Sequence, residues 1–277
     1  MVNRLKMDFY RLRKSPLLYI LIGATILFSI YMMGTFAFLD FSVKNLGEDF
    51  LDAETMGAVA AILPSDFKSF IQIFFLGNFF IVFLVIFAVV FSSAEYKTGY
   101  IKNTAAHTSP KYISYFSNLI IITIFTAVLF LITGIIVSVG CLLIGEIDYK
   151  NKSFHDVLKY IGELLPFIVT KFLSNISLTA FFLMIFYLLR SATPVMISGL
   201  TYSMLGTLLF SLVNVVINIA FKNADFDLGE YTNLGNMSTI LIGADTGDYI
   251  RSAVVSVVFL VISSFVSCYA LQKKDIR

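Results

Sequence analysis

Charged residues are scarce in this chain: Asp, Glu, Lys and Arg make up 14% of its 277 residues, where a soluble domain carries roughly a quarter. A soluble protein of this length would cover its cores with those side chains. The shortage excludes a water-exposed surface over most of the sequence. Tryptophan is absent, and cysteine and histidine each occur only 2 times. Cys141 and Cys268 both sit in apolar runs, where a small thiol packs as a hydrophobe and implies no disulfide framework. His107 and His155 fall in separate polar stretches, neither with a metal-ligand partner on the same helix face. With no histidine inside an apolar run, Ser–His intramembrane catalysis and zinc-protease chemistry lack their base and their ligands. No glycine is followed by lysine, so the phosphate-binding loop Gly-x-x-x-x-Gly-Lys-Ser/Thr is missing. No acid occupies the middle of an apolar run, where ion-coupled transporters place their coupling carboxylates. The chain is expected to be no enzyme and to carry no cofactor of its own.

What is abundant is apolar sequence, 58% of the residues. It falls into runs at residues 17–39, 70–94, 115–144, 164–189, 195–221 and 252–271, each long enough to cross about 30 Å of hydrocarbon as a helix. The 5 prolines (Pro16, Pro64, Pro110, Pro166 and Pro194) read as loop or span-end residues. The first run follows a basic segment, as in a secretory signal, but it is too long for a signal core and no small-residue cleavage pattern follows. The expected fold is a single all-α integral membrane domain over 1–277, with six transmembrane helices preceded by an N-terminal amphipathic interfacial helix at 1–15.

Charge distribution orients the spans. With the N-terminus inside, Arg4, Lys6, Arg11, Arg13, Lys14, Lys97, Lys102, Lys111, Arg190, Lys273, Lys274 and Arg277 all fall on the cytoplasmic side, against Asp8, Glu95 and Asp275. The opposite segments hold most of the acids, so the positive-inside rule puts both termini in the cytoplasm of a bacterial inner membrane. Before the first span, Val2, Leu5, Phe9 and Leu12 recur at helical spacing, with Arg4, Asp8, Arg11 and Lys14 on another face. This pattern predicts a helix lying along the inner leaflet with its basic side near anionic headgroups. The outer segment 222–251, with Leu234, Met237, Ile240, Leu241 and Ile242, is too apolar for a solvated linker and reads as short re-entrant helices.

Polar residues within the spans have two readings. Asn78, Asn175, Asn214 and Asn218 either line a pathway or join helices by hydrogen bonds, and Asn214 and Asn218, four apart, share a face. Lys171 reads as a cation near the outer interface, able to snorkel to water or to serve a function. Gly199, Ser203 and Gly206, and also Gly134 and Ser138, form small-residue faces that suit either a dimer or packing within one chain.

Between the second and third runs lies one substantial loop, 95–114, reading Glu95-Tyr96-Lys97-Thr98-Gly99-Tyr100-Ile101-Lys102-Asn103 and then Ser109-Pro110-Lys111. A Glu closing the second span, followed at this spacing by Gly and a basic residue, resembles the permease subunits of type-2 ABC exporters. The likeness is to the small six-span permeases of peptide and bacteriocin export or immunity, and it extends to the leading helix and the span layout. The resemblance implies that the loop docks on a separate ATPase subunit, present in two copies, that binds ATP and Mg. It places Glu95, Gly99, Tyr100, Ile101 and Lys102 at or beside that contact. It also implies a second permease subunit, identical or sister, within the lipid bilayer, and no nucleic-acid partner. From chemistry alone, the loop tyrosines fit a headgroup-level position as well as a protein contact. Glu95 at a helix C-terminus opposes the helix dipole and calls for a cation. Lys97 or Lys102, a base on the ATPase, or Arg4 and Arg11 could supply it. The function so implied is export of a peptide or other amphipathic molecule. The alternative is a membrane sensor, immunity or assembly protein that binds without transporting.

Overall fold

A computed structural model describes residues 2–50, 67–76, 79–97, 112–144, 154–220 and 228–273. All of its regular structure is helical, with no strand among the described residues. The helices are α1 (Val2–Lys14), α2 (Pro16–Phe50), α3 (Phe67–Leu76), α4 (Phe79–Lys97), α5 (Tyr112–Ile144), α6 (Phe154–Leu189), α7 (Ala192–Ala220), α8 (Asn233–Thr239) and α9 (Thr246–Lys273). A 3-10 turn, Leu228–Tyr231, precedes α8. Among the described residues, 5 stretches are long and apolar enough to cross a membrane: Pro16–Phe38, Ile71–Glu95, Tyr112–Gly140, Gly162–Leu189 and Thr246–Lys273.

The run at 195–221, expected as one span, is bent. Its helix forms two limbs, Ala192–Gly206 and Leu208–Ile219, bent by 57°. Composition records how apolar a run is and says nothing of its straightness. Other boundaries move outward: α2 continues past Asp40 to Phe50, and α6 begins at Phe154. His155 therefore lies in a helix rather than a loop, and Pro166, though inside α6, falls near the start of the membrane-crossing stretch Gly162–Leu189. Hydropathy marks where lipid-compatible sequence begins, whereas a helix continues as long as its backbone bonds are made. Pro16 does open α2, where a missing N–H costs nothing. Arg190, with φ 56°, turns the chain between α6 and α7 while its N–H donates to Phe186 O at 2.7 Å, closing the last turn of α6.

α4, α5 and α6 form the centre of the bundle, with α2 against α5, α7 against α4 and α6, and α9 along α6. Phenylalanine fills the interior. Phe87 and Phe125 stack at 3.9 Å between α4 and α5, and Phe75, Phe80 and Phe130 form a second cluster at 4.9 to 5.7 Å. Serines line the buried side of α9: Ser252, Ser256, Ser263 and Ser267 are all buried, and Ser256 Oγ bonds Ser174 Oγ of α6 at 2.9 Å. Small side chains let two helices approach closely in lipid, where hydrophobicity gives no drive for helices to associate. The Gly199–Ser203–Gly206 face is likewise used inside the chain. A Cβ at Gly199 would lie 2.5 Å from Val85 Cγ1, and one at Gly206 would run into Leu234 of α8.

Candidate functional site

The densest polar feature lies where α1 crosses the end of α4 and the beginning of α5. Asp8 and Glu95 are both 0% exposed, which is costly for carboxylates unless charge and hydrogen bonds meet them. Two arginines of α1 do so. Arg4 Nη2 lies 3.3 Å from Glu95 Oε2, and Arg11 Nη1 lies 3.1 Å from Glu95 Oε1. Asp8 is held by the same pair, at 3.7 Å from Arg4 Nε and 3.5 Å from Arg11 Nη1. Serines complete the shell: Ser114 donates to Glu95 at 2.8 Å and accepts from Arg4 at 2.6 Å, while Ser117 donates to Asp8 at 2.5 Å. Arg11 also donates to Phe91 O at 2.9 Å and stacks its guanidinium 4.0 Å from the Phe91 ring. Two cations meet two anions, so the cluster is neutral as a whole and holds α1 against α4 and α5 from both sides.

This arrangement turns part of the basic face of the leading helix toward the bundle. Arg4, Asp8 and Arg11 turn into the bundle, Lys14 of the same face stays exposed, and Phe9 of the apolar face is exposed along with Met7 and Tyr10. Of Leu5, Phe9 and Leu12, Leu12 is a core residue. The physical reason is the second carboxylate: once Glu95 is enclosed, the guanidiniums gain more from it than from headgroups. Of the cations that could offset Glu95, those the structure places on it are Arg4 and Arg11. Its carboxylate is covered by α1 and is not presented at a surface.

A polar thread continues from the cluster into the bundle. Ser114, Ser117 and Asn118 sit on the first turns of α5, and Asn118 Nδ2 donates to Tyr187 OH on α6 at 2.8 Å. Tyr115 OH pairs with Ser264 Oγ on α9 at 2.8 Å, and its ring meets that of Tyr187 edge-on. Asp8, Ser114, Ser117 and Asn118 were not singled out as site residues from sequence. The recoverable signal was three polar residues at i, i+3 and i+4 where an apolar run begins, a spacing that puts them on one face.

The other sequence-named residues lie apart. Gly99, Tyr100, Ile101, Lys102 and Asn78 lie outside the described residues. Asn175 is buried and spends its amide N–H on Lys171 O at 2.9 Å. Asn214 and Asn218 sit on the second limb of α7, among exposed apolar side chains such as Leu212, Val216 and Ile219. Lys171 does not snorkel. It is 0% exposed, donates to the carbonyls of Asn236, at 3.3 Å, and Met237, and lies 5.2 Å from the Phe167 ring. Its partners belong to α8, the short helix of the 222–251 segment, whose Leu234 and Met237 are core residues. Among the described residues, no group of three metal-ligating side chains comes together. No family model matches the chain, and no curated protein matches it.

Proposed function

We propose that this chain is the membrane-spanning permease subunit of an ATP-driven exporter of the type-2 ABC class, moving a peptide or other amphipathic molecule out of a bacterial cell. The observation that carries the reading is the buried cluster of Arg4, Asp8, Arg11 and Glu95. It fastens α1 to the last turn of α4, directly before the loop 95–114 that the sequence resemblance assigns to ATPase docking. A displacement of that loop would reach α1, α4 and α5 together, because an ionic joint with matched hydrogen bonds moves as one body. Glu95 then acts as a positioning residue beside the docking contact.

In this reading the chain crosses a bacterial cytoplasmic membrane six times, the two limbs of α7 making one bent crossing, with both termini in the cytoplasm. α1 lies at the inner interface, where the exposed Lys6, Arg13 and Lys14 meet anionic headgroups beside Met7, Phe9 and Tyr10. Two copies of a separate ATPase bind ATP and Mg, and a second permease subunit completes the pathway. The small-residue face of α7 is used within the chain, so the pairing surface lies elsewhere.

The test is ATP-dependent uptake of an amphipathic peptide into inverted vesicles containing this chain and its ATPase. Transport that requires both subunits and hydrolysis supports the assignment, and ligand binding without ATP-dependent movement would replace it with a sensor or immunity role. Labelling tests the orientation separately. A cysteine replacing exposed Ser191 should react only with membrane-permeant reagents, and one replacing exposed Asp245 should label from outside intact cells. The reverse pattern would refute the orientation.

A further inference from the structure

Lys171 is a fully buried ammonium inside a membrane-spanning helix, and such a group marks a functional site unless a carboxylate neutralises it. Among the described residues it has no acidic partner; its contacts are two carbonyls of α8 and the face of Phe167. Those carbonyls, of Asn236 and Met237, belong to the last turn of a short helix and carry partial negative charge. The occupant of the Lys171 position is therefore a stand-in for an anion. Unsatisfied polar atoms accumulate on the elements around it. Asn233 on α8 is 1% exposed, and both its amide atoms lack a partner among the described residues. Ser252 on α9 is 0% exposed, and its hydroxyl has no partner among the described residues. A buried donor without an acceptor is expensive, so the Asn233 amide N–H and the Ser252 hydroxyl point to an occupant that accepts hydrogen bonds.

We propose that Lys171 is a binding point for the anionic group of an amphipathic molecule, a carboxylate or a phosphate, which takes the place of the α8 carbonyls. The donors it would meet are the Lys171 ammonium, the Asn233 amide and the Ser252 hydroxyl. The last turn of α8 is the part that must yield. The helix has only 7 residues and stands between the 3-10 turn and the turn at Gly243, whose φ of 85° suits glycine. Access requires the last turn of α8 to move while its first turn, with Asn233, stays in place, and Lys171 then exchanges one set of oxygens for another without ever being left bare. The inference deepens the export reading by giving the exported molecule an acidic group, yet its binding step needs no ATPase.

The experiment uses the full chain in phosphatidylcholine nanodiscs without ATPase, so that failure of transport and failure of this site stay separate. The probes are an apolar peptide with a free C-terminal carboxylate and the same peptide amidated. The wild-type chain should bind the free acid at least roughly tenfold more tightly, the contribution of one charge-assisted hydrogen bond. Lys171→Met should bind both forms alike, at the affinity of the amide, and Lys171→Arg should keep the preference. Should the methionine variant fail to fold, the wild-type comparison and Lys171→Arg still decide. Equal binding of acid and amide by the wild-type chain overturns the proposal, as does an undiminished preference in a folded Lys171→Met. Discs containing phosphatidylglycerol identify the source of the anion. Loss of the acid preference there assigns the site to a lipid phosphate and its persistence assigns it to the peptide, and either result keeps the anion site.

Discussion

Replacing Glu95 by alanine should release α1 from the bundle while leaving the remaining helices in place. The substitution leaves two guanidiniums facing the single carboxylate of Asp8, and it removes the acceptor of Ser114. Breaking a buried ion pair costs about 3 to 5 kcal/mol. Two features lower that here: Asp8 still contacts both arginines at 3.5 to 3.7 Å, and the Arg11 side chain is 27% exposed to solvent. A cost of about 2 to 3 kcal/mol is then expected, which raises the undocked fraction of α1 by roughly 30- to 150-fold. Leu12 reports this directly, because it is 8% exposed and on the same helix. With Cys141 and Cys268 replaced by alanine, a cysteine at Leu12 should react with a soluble maleimide faster by about that factor once Glu95 is lost. Glu95→Lys should exceed Glu95→Ala, since three cations would then surround one acid. Lys6→Ala, a change at an exposed residue outside the cluster, should have no effect. If Leu12 labels no faster in Glu95→Ala, or if the lysine variant behaves like the alanine variant, the cluster does not hold α1 and the coupling argument built on it fails. With the cluster holding α1, transport and ATPase activity measured on the same variants should separate, with hydrolysis outlasting transport.

Two further expectations concern packing. Gly235→Ala should destabilise the outer segment by about 1 to 3 kcal/mol, because its Cβ would meet the Gly229 backbone and no flexible side chain can give way. Protease cleavage near α8 should speed up accordingly, and an unchanged rate would refute the contact. In the α6–α9 seam, Ser256→Ala should cost under about 1 kcal/mol, the size of an interhelical hydrogen bond in lipid, whereas Ser256→Leu should cost more by forcing the helices apart. Thermal unfolding in detergent should rank them in that order, and equal effects would mean that the hydroxyl pair rather than close approach governs the seam.

How far the protein was legible in its sequence depended on which physical quantity each feature reflects. The helical, membrane-embedded character came from composition alone, because apolar runs of span length have one stable form in lipid, a helix with its backbone bonds satisfied internally. Arg4, Asp8 and Arg11 were placeable on one face of α1 by their spacing, and the need of Glu95 for a cation followed from its place at a helix end. The serine spacing in Ser252, Ser256, Ser263 and Ser267 was also there to be read as a packing face. Only the tertiary structure decided which way α1 turns, because Glu95 lies 84 residues from Arg11 and no local pattern records that they meet. The same holds for Lys171, whose carbonyl partners stand 65 and 66 residues away. A lone lysine near a span end predicts a side chain reaching for water. Burial by α8 changes its environment, and with it the chemistry it can perform, through contacts between segments that the linear sequence keeps apart.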